Sequence, residues 1–392
     1  MLKTKNRQNN LIFLNAVLFL LFLSFFEESQ IWRLSSIALV AVFLIPAVIA
    51  AELFVNKKAF NAIEKTIAAA FALFAFFQLF GIGLNSFYKS LTPIYRTFSA
   101  LAVVIYVRRI NIGKYERQSI NVLSAVTLAA GLISFFLPEQ SNGNPFFGNL
   151  NTVGVLYFTV FAINYLLFVK TENLINSALC CFAVFIIAAS NTRTALFLAV
   201  LTVAVNLIVY FTKLKKISPF VFYVLSFAGI ALFVLFYFNI RNLSVYNFLN
   251  AVSQKLFHKN LDSGRPELWH IAIDAVGDRF LTGRGNFAEL SDFASWTKTP
   301  HSVFFDVYLK NGLSGLFFFV LAITVVLQFK GNYENNRLNV LNMSLVFVIL
   351  FYNAVGIVLT KPRSGIGLIQ WMLIALPYLS SAKLKLKDSL LW

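Results

Sequence analysis

The sequence is short of charge. Only 12% of its 392 residues are Asp, Glu, Lys or Arg, whereas soluble domains carry about a quarter. Hydrophobic residues make up 59% of the chain and aromatic residues 16%, and the mean hydropathy is +0.75. A soluble globular protein of this length would need a polar surface that this composition does not supply. We therefore interpret the chain as a membrane protein.

Cysteine and histidine are also scarce. The two cysteines, Cys180 and Cys181, are neighbours in an apolar segment, which excludes a framework of disulfides. The three histidines and 16 acidic residues show no cluster with the spacing of metal ligands. We therefore expect no metal and no cofactor. A basic soluble face is lacking too, which excludes nucleic acid as a partner.

Long apolar runs are what the sequence has in abundance. A membrane helix needs about 20 mostly apolar residues, and on this criterion residues 1–392 predict a single polytopic membrane domain with about twelve spans. The tenth run is long enough for a short helix, a break near Asn311-Gly312 and then a full span. The predicted spans are 11–27, 36–53, 66–84, 92–107, 120–137, 152–169, 174–190, 194–212, 219–239, 303–329, 338–359 and 367–381.

The distribution of positive charge predicts the orientation. Most of the 33 lysines and arginines fall in alternate connections, for example at 57–58, 108–109 and 213–216. Because lysine and arginine stay on the cytoplasmic side of a membrane, both chain ends are predicted to be cytoplasmic. Residues 240–302 then form one large external loop between spans nine and ten.

The stretch GRPELWHIAIDAVGDR predicts a helix inside this loop. Apolar residues recur at helical spacing over 268–276, Pro266 suits a first turn and Gly277 suits a C-terminal end. Arg265 then begins the helix, where free N–H groups and the helix dipole favour an anion. From the residues alone, a phosphate-binding arginine and a solvated surface arginine are both open.

Arg193, in AASNTRTALF, lies in a tight turn between two apolar runs. A charge close to membrane depth is costly unless it faces a cavity or a partner, so a functional role is the default hypothesis. An arginine that reaches up to the headgroups is the alternative. A phosphate carried by a ligand would be a suitable partner for this charge.

His301 begins the tenth span, in TPHSVFFDVYLKNGLSGL. Imidazole titrates near neutral pH, which suits a general base. His301 follows a proline and starts a span, so its position is more fixed than those of His258 and His270, which we interpret as surface residues. Asp306 and Lys310 are spaced i, i+4 and are expected to pair with each other, with a place in a cavity wall as the alternative.

Four motifs together resemble the O-antigen ligase and O-antigen polymerase family of bacterial membranes. HSVFFDVYLKNGLSGL is similar to the ligase signature, and SGRPELW followed by GRGNF is similar to the start of the family's large external loop. SNTRTAL resembles the family's S-x-S-R turn, with Thr192 in place of the second serine, and FGNLNTVG resembles the Gly-Asn turn before the sixth span. The first four spans match only in hydropathy.

The resemblance implies an all-α, GT-C-like membrane glycosyltransferase that is metal-independent and inverts the anomeric centre. It would take a glycan from undecaprenyl diphosphate and join it to a sugar hydroxyl of a glycan or lipid A-core acceptor. The partners would be these two substrates and membrane lipids, at the outer face of the bacterial inner membrane. His301 would take the acceptor's proton, and Arg193 and Arg265 would hold the diphosphate. The other residues expected to contact substrate are Arg284, Asn151 and Ser302.

Three alternatives stay open. The motifs do not separate a ligase, which transfers a finished glycan, from a polymerase, which extends a growing one. Asn151 equally suits a cap of the sixth helix. A transporter or flippase of lipid-linked oligosaccharide is the rival from another class, and it predicts internal repeats and charges at the bilayer midplane. The unusual charges here cluster near one face, which favours surface chemistry.

Overall fold

The chain folds into helices. A computed structural model describes residues 2–26, 29, 31–55, 59–79, 87–110, 114–136, 150–190, 192–212, 217–257, 260–293, 299–328, 337–360 and 365–376, and no strand occurs within these ranges. The α-helices are α1 (Leu2–Ser24), α2 (Trp32–Val55), α3 (Ala62–Leu79), α4 (Phe87–Arg109), α5 (Lys114–Phe136), α6 (Leu150–Thr171), α7 (Leu174–Ala189), α8 (Arg193–Phe211), α9 (Pro219–Phe238), α10 (Tyr246–Phe257), α11 (Arg265–Val276), α12 (Val303–Gln328), α13 (Arg337–Val355) and α14 (Gly365–Ala375).

Every predicted span overlaps one of these helices, namely α1–α9 or α12–α14. In the described part of the chain, seven helices are long and apolar enough to cross a membrane: Arg33–Val55, Ala62–Leu79, Lys114–Phe136, Val153–Thr171, Arg193–Phe211, Pro219–Phe238 and Val303–Gln328. Four further apolar helices are shorter: Asn10–Ser24, Leu174–Ala189, Asn339–Val355 and Gly365–Ala375. The all-α membrane class is confirmed, while the count of twelve spans and the GT-C-like architecture stay predictions.

The surface of the helix bundle is apolar, as contact with the lipid tails of a membrane requires. In α9, Leu225, Leu232 and Leu235 are all more than half exposed, at 54%, 67% and 61%. Apolar side chains exposed in such numbers would aggregate in water, but they are suited to contact with lipid tails. Inside the bundle, aromatic contacts join distant helices; for example, the rings of Phe74 in α3 and Phe319 in α12 lie 5.3 Å apart.

α12 is interrupted at Gly312, whose backbone angles (φ 63°, ψ −164°) are not helical. The segment 280–285 fills the break with its own backbone. Amides just after the break donate to the carbonyls of residues 280–281 at 2.7 and 3.2 Å, and carbonyls just before it accept from the amides of residues 284–285 at 2.8 and 2.9 Å. The freed backbone groups are therefore satisfied within the protein, as membrane depth demands. The predicted break near Gly312 is confirmed.

α11 is the predicted helix of the 240–302 segment, and it packs on α12 and α9. It follows Gly264, whose φ of 72° is left-handed, and it ends at Gly277, whose φ is 50°. Both glycines adopt backbone conformations that other residues rarely take. Its buried face, which includes Leu268, Trp269 and Ala272, forms with α9 and the start of α12 a small apolar cluster separate from the main core.

Candidate active site

Arg193 is the first residue of α8, and its partly buried guanidinium reaches toward the 240–302 segment. Its Nη1 donates to Ser253 Oγ of α10 at 2.9 Å, and its Nη2 donates to Ser263 Oγ at 3.4 Å. Ser263 comes two residues before Arg265 and has a positive φ of 52°. The turn that begins α11 is therefore held against the start of α8.

Arg265 lies close to Arg193. Its helix begins two residues after Ser263, to which Arg193 donates, and both arginines act electrostatically on the Tyr237 hydroxyl at the end of α9. That hydroxyl donates to the Asp262 carbonyl oxygen at 2.9 Å. Two neighbouring arginines and the Tyr237 phenol form a site for an anion. A bound anion would reduce the repulsion between the two guanidinium groups and accept bidentate hydrogen bonds from them.

Two carboxylates of the 240–302 segment pair with a third arginine, Arg241. Arg241 Nε pairs with Asp262 Oδ2 at 2.5 Å, and its Nη1 pairs with Glu267. Burial opposes the ionisation of Asp262, but hydrogen bonds from Arg241, the Gly264 amide and Tyr246 hold its pKa below the ordinary value. The ionised Asp262 is therefore directed to Arg241 and shapes the turn that carries Arg265.

His301 is exposed and has a φ of 50°, a left-handed conformation unusual for any residue except glycine. Its neighbours are fixed. The carbonyl of Pro300 accepts a hydrogen bond from Trp269 Nε1 at 2.9 Å, and the carbonyl of Ser302 accepts one from the Asp306 amide, also at 2.9 Å. The strained backbone at His301 is thus held from both sides, as is common at functional sites.

Trp269 connects the histidine to the arginines. It lies one helical turn after Arg265, its ring is 5.5 Å from the Tyr237 ring, and it stacks on Phe305 of α12 at 4.8 Å. The starts of α8, α11 and α12 and the end of α9 therefore meet at one end of the bundle. Arg193, Arg265 and His301 all belong to this end, and we call them the arginine–histidine site.

Residues 178–320 match the family model for O-antigen ligase. The match contains three of the four motifs that carry the predicted resemblance, and the arginine–histidine site with them. The resemblance to the O-antigen ligase and polymerase family is thereby confirmed. It supports a membrane glycosyltransferase of that type, active in polysaccharide and lipopolysaccharide biosynthesis. Comparison with curated proteins gives no match.

Arg284 is not brought to the arginine–histidine site. Its Nε donates to the carbonyl of Ala275, near the end of α11, and its Nη2 lies 3.5 Å from an oxygen of Asp278. Ten residues of helix place Ala275 about 15 Å from Arg265 along the axis. These contacts are those of a helix C-terminal cap, and a role for Arg284 in substrate binding stays a prediction.

The two remaining predicted site residues, Ser302 and Asn151, and the two other histidines are placed as follows. Ser302 is fully buried, and its hydroxyl has no hydrogen-bond partner among the described residues. Asn151 lies in the first turn of α6, but its side chain is outside the described part, and His258 lies outside the described residues altogether. His270 is exposed, with its ring 3.9 Å from that of Phe238, which leaves it available as a control.

A metal site was not expected from the sequence. Among the described residues, no group of three or more His, Cys, Asp or Glu side chains is arranged to hold a metal ion.

The expected pair of Asp306 and Lys310 is confirmed, with Nζ 2.8 Å from Oδ1.

The sequence analysis missed Arg96. This arginine lies inside predicted span 92–107, and with Asp306 and Lys310 it lines a cavity between α3, α4, α12 and α14. A charge within a predicted span is itself a signal of function, so the residue could have been found from the sequence. That it lines the same cavity as the ion pair could not be found from the sequence.

Proposed function

We propose that the protein transfers a glycan from undecaprenyl diphosphate to a sugar hydroxyl at the outer face of the bacterial inner membrane, as an O-antigen or surface-polysaccharide polymerase or ligase. The observation that carries the proposal is that Arg193 donates to Ser263, two residues before Arg265, at the end of the bundle where His301 lies two residues before α12. The family match over residues 178–320 supports the class of reaction.

The two arginines are proposed to bind the diphosphate. An arginine guanidinium donates two parallel hydrogen bonds to phosphate oxygens. The N-terminus of α11 adds free N–H groups and the positive end of the helix dipole. As the bond between the sugar and the diphosphate breaks, negative charge grows on the leaving oxygen. Two fixed cations stabilise that charge more in the transition state than in the ground state, which accelerates the reaction.

His301 is proposed to be the general base. The acceptor hydroxyl gives its proton to the imidazole, and its oxygen forms a bond to the anomeric carbon. The bond from that carbon to the diphosphate oxygen breaks, and undecaprenyl diphosphate leaves with the electron pair. Direct attack on an α-linked donor inverts the anomeric centre. The arginines supply the charge stabilisation that a metal ion supplies in other glycosyl transfers, so the proposed mechanism is metal-independent.

The proposal includes an orientation. Both chain ends are cytoplasmic, and residues 240–302 lie outside, because lysine and arginine are concentrated in the connections assigned to the cytoplasm. The lipid-linked donor then presents its diphosphate at the headgroup level. The starts of α8, α11 and α12 are on that side of the membrane.

The experiment is a transfer assay with the purified full-length protein in liposomes. With a lipid-linked repeat unit alone, a ladder of longer glycans identifies a polymerase. Transfer of a preformed glycan to a lipid A-core acceptor identifies a ligase. Translocation of the lipid-linked oligosaccharide across the liposome without any new glycosidic bond would refute the proposal in favour of a flippase.

A further inference from the structure

α10 (Tyr246–Phe257) follows closely after α9, whose surface is exposed and apolar. α9 ends at Phe238, and residues 239–245 connect the two helices. Leu235 and Phe236, in the last turn of α9, are both exposed and suited to contact with lipid tails. A connection this short, which includes a 3-10 turn, keeps α10 near the point where α9 reaches the membrane surface.

One stripe of α10 is polar, and this stripe contacts the protein. Its three side chains are spaced i, i+4, i+7, which places them on one side of the helix. Each forms a hydrogen bond: Tyr246 Oη donates to Asp262 Oδ2 at 3.1 Å, Asn250 Oδ1 accepts from the Leu261 amide at 2.8 Å, and Ser253 Oγ accepts from Arg193 Nη1 at 2.9 Å. α10 is therefore attached to the arginine–histidine site by polar groups, whereas a surface helix usually packs by its apolar side.

A second stripe of α10 is apolar and exposed. We call it the α10 apolar stripe; it consists of Val245, Phe248, Leu249 and Val252, spaced i, i+3, i+4, i+7. Phe248 is 71% exposed, the most of the four. At about 100° per residue, the centre of this stripe lies about 120° around the helix from the polar contacts. The apolar residues therefore point to one side of the protein contact.

The remaining side of α10 is polar and exposed. It carries Asn247, Gln254 and Lys255. The helix thus has one side on the protein, one apolar side and one side suited to water. This division is expected of a helix that lies in the plane of a membrane surface, where acyl chains meet one side and water meets another. A helix that projected into water would leave the apolar stripe without a contact.

We propose that α10 is an interfacial helix, that the α10 apolar stripe contacts the acyl chains of the outer leaflet, and that this insertion keeps Ser253 against Arg193. Lipid is the expected occupant because the stripe follows so closely on the lipid-exposed end of α9. The consequence for Arg193 rests on the proposed function, in which that arginine binds the diphosphate. The membrane would then hold part of the diphosphate site at the depth where a lipid-linked donor presents its phosphates.

The first test measures lipid contact and needs no substrate. A small environment-sensitive fluorophore is attached to Phe248→Cys in full-length protein with Cys180 and Cys181 replaced by alanine, in nanodiscs with or without nitroxide-bearing acyl chains. We expect nitroxide to quench this label at least about twofold more strongly than a label at Asn247→Cys, because an interfacial helix inserts its apolar side about 5–10 Å. A label at Leu232→Cys in α9 is the positive control.

The second test measures binding of undecaprenyl diphosphate to the same nanodiscs. Phe248→Asp should weaken it about tenfold, because a carboxylate cannot stay among acyl chains and the shifted helix loses a hydrogen bond to a charged group. Ser253→Ala should weaken it by a similar factor, and the two substitutions together should do no more than either alone. Asn247→Asp, which places the same charge on the water side of the same helical turn, should leave binding unchanged.

Two results would overturn the inference. Equal quenching at positions 248 and 247 would exclude lipid contact, and cross-linking between copies through Phe248→Cys would then assign the α10 apolar stripe to a second copy of the chain. Unchanged affinity in Phe248→Asp would separate α10 insertion from Arg193; Val252→Asp replaces this variant if it does not fold. Wild-type protein that binds no undecaprenyl diphosphate would refute the proposed function, while quenching would still decide the insertion.

Discussion

The backbone of Gly283 lies directly against that of Gly312. A Cβ atom on Gly283 would come 2.5 Å from the Gly312 nitrogen, and one on Gly312 would come 2.4 Å from the carbonyl carbon of Leu281. Both glycines have positive φ, at 72° and 63°. The contact inserts segment 280–285 into the break of α12, and so joins the GRGNF motif to the KNGLSG motif.

Alanine at either glycine should destabilise the protein. Gly283→Ala and Gly312→Ala place a side chain where the backbone is left-handed, which costs about 1–3 kcal/mol, and where a neighbouring backbone leaves no room. We expect a lower temperature of thermal unfolding in detergent for each variant. Gly229→Ala in α9 is the control, since a Cβ there meets nothing within 4 Å. Equal unfolding temperatures for all three variants would contradict the observed packing.

His301→Ala should abolish transfer while donor binding survives. General base catalysis contributes about 10²–10⁴-fold, so the rate should fall by at least that order. The measurement is the transfer assay, together with binding of lipid diphosphate to the same preparation. His270→Ala is the control, because His270 is an exposed residue of α11 outside the proposed chemistry. Near-normal turnover in His301→Ala would reduce His301 to a structural residue.

Arg193→Ala and Arg265→Ala should affect donor binding, which the histidine variant should not. Because both arginines are proposed to contact the diphosphate, each substitution should weaken donor binding as well as the rate of transfer. Lysine at either position should restore only part of the loss, since an ammonium lacks the forked geometry. Arg279→Ala, at an exposed arginine of the same segment, is the matched control. Unchanged donor affinity in both alanine variants would argue against a diphosphate site here.

Removal of divalent metal should not stop the reaction. The proposed mechanism places the developing charge on Arg193 and Arg265, so transfer in the presence of EDTA should equal transfer without it. The assay compares chelated protein with the same protein after addition of Mg²⁺ or Mn²⁺. Activity that disappears with EDTA and returns with either ion would rule out the arginine-only account.

The orientation can be checked by cysteine accessibility. In a background in which Cys180 and Cys181 are replaced by alanine, Lys255→Cys should react with a membrane-impermeant maleimide in intact cells. A cysteine at 213–216, which lies outside the described residues, should react only after the membrane is opened. The lysine and arginine distribution is the physical basis. Labelling of 213–216 from outside would show that the orientation is the opposite of the predicted one and that the proposed site is not on the outer face.

Much of this protein is determined by short stretches of its sequence. The helix positions, the separation of α7 from α8, the break at Gly312 and the start of α11 at Arg265 all follow from signals contained within a few neighbouring residues. Hydropathy over about 20 residues specifies a span, and glycine or proline at a terminus specifies where a helix ends. The three polar residues of the arginine–histidine site were found because charge and imidazole are rare in so apolar a chain.

Only the tertiary structure decided which of these elements meet. Nothing near Trp269 indicates that its indole donates to Pro300, and nothing in GRGNF indicates that Gly283 enters the break of α12. Nothing in span 92–107 indicates that Arg96 lines the same cavity as Lys310. The reason is physical. Helices that are apolar on all sides do not mark which face packs on a neighbour, and their packing depends on close fit between distant surfaces. The sequence therefore determined the helices and the candidate chemistry, and the packing decided the site and the cavity beside it.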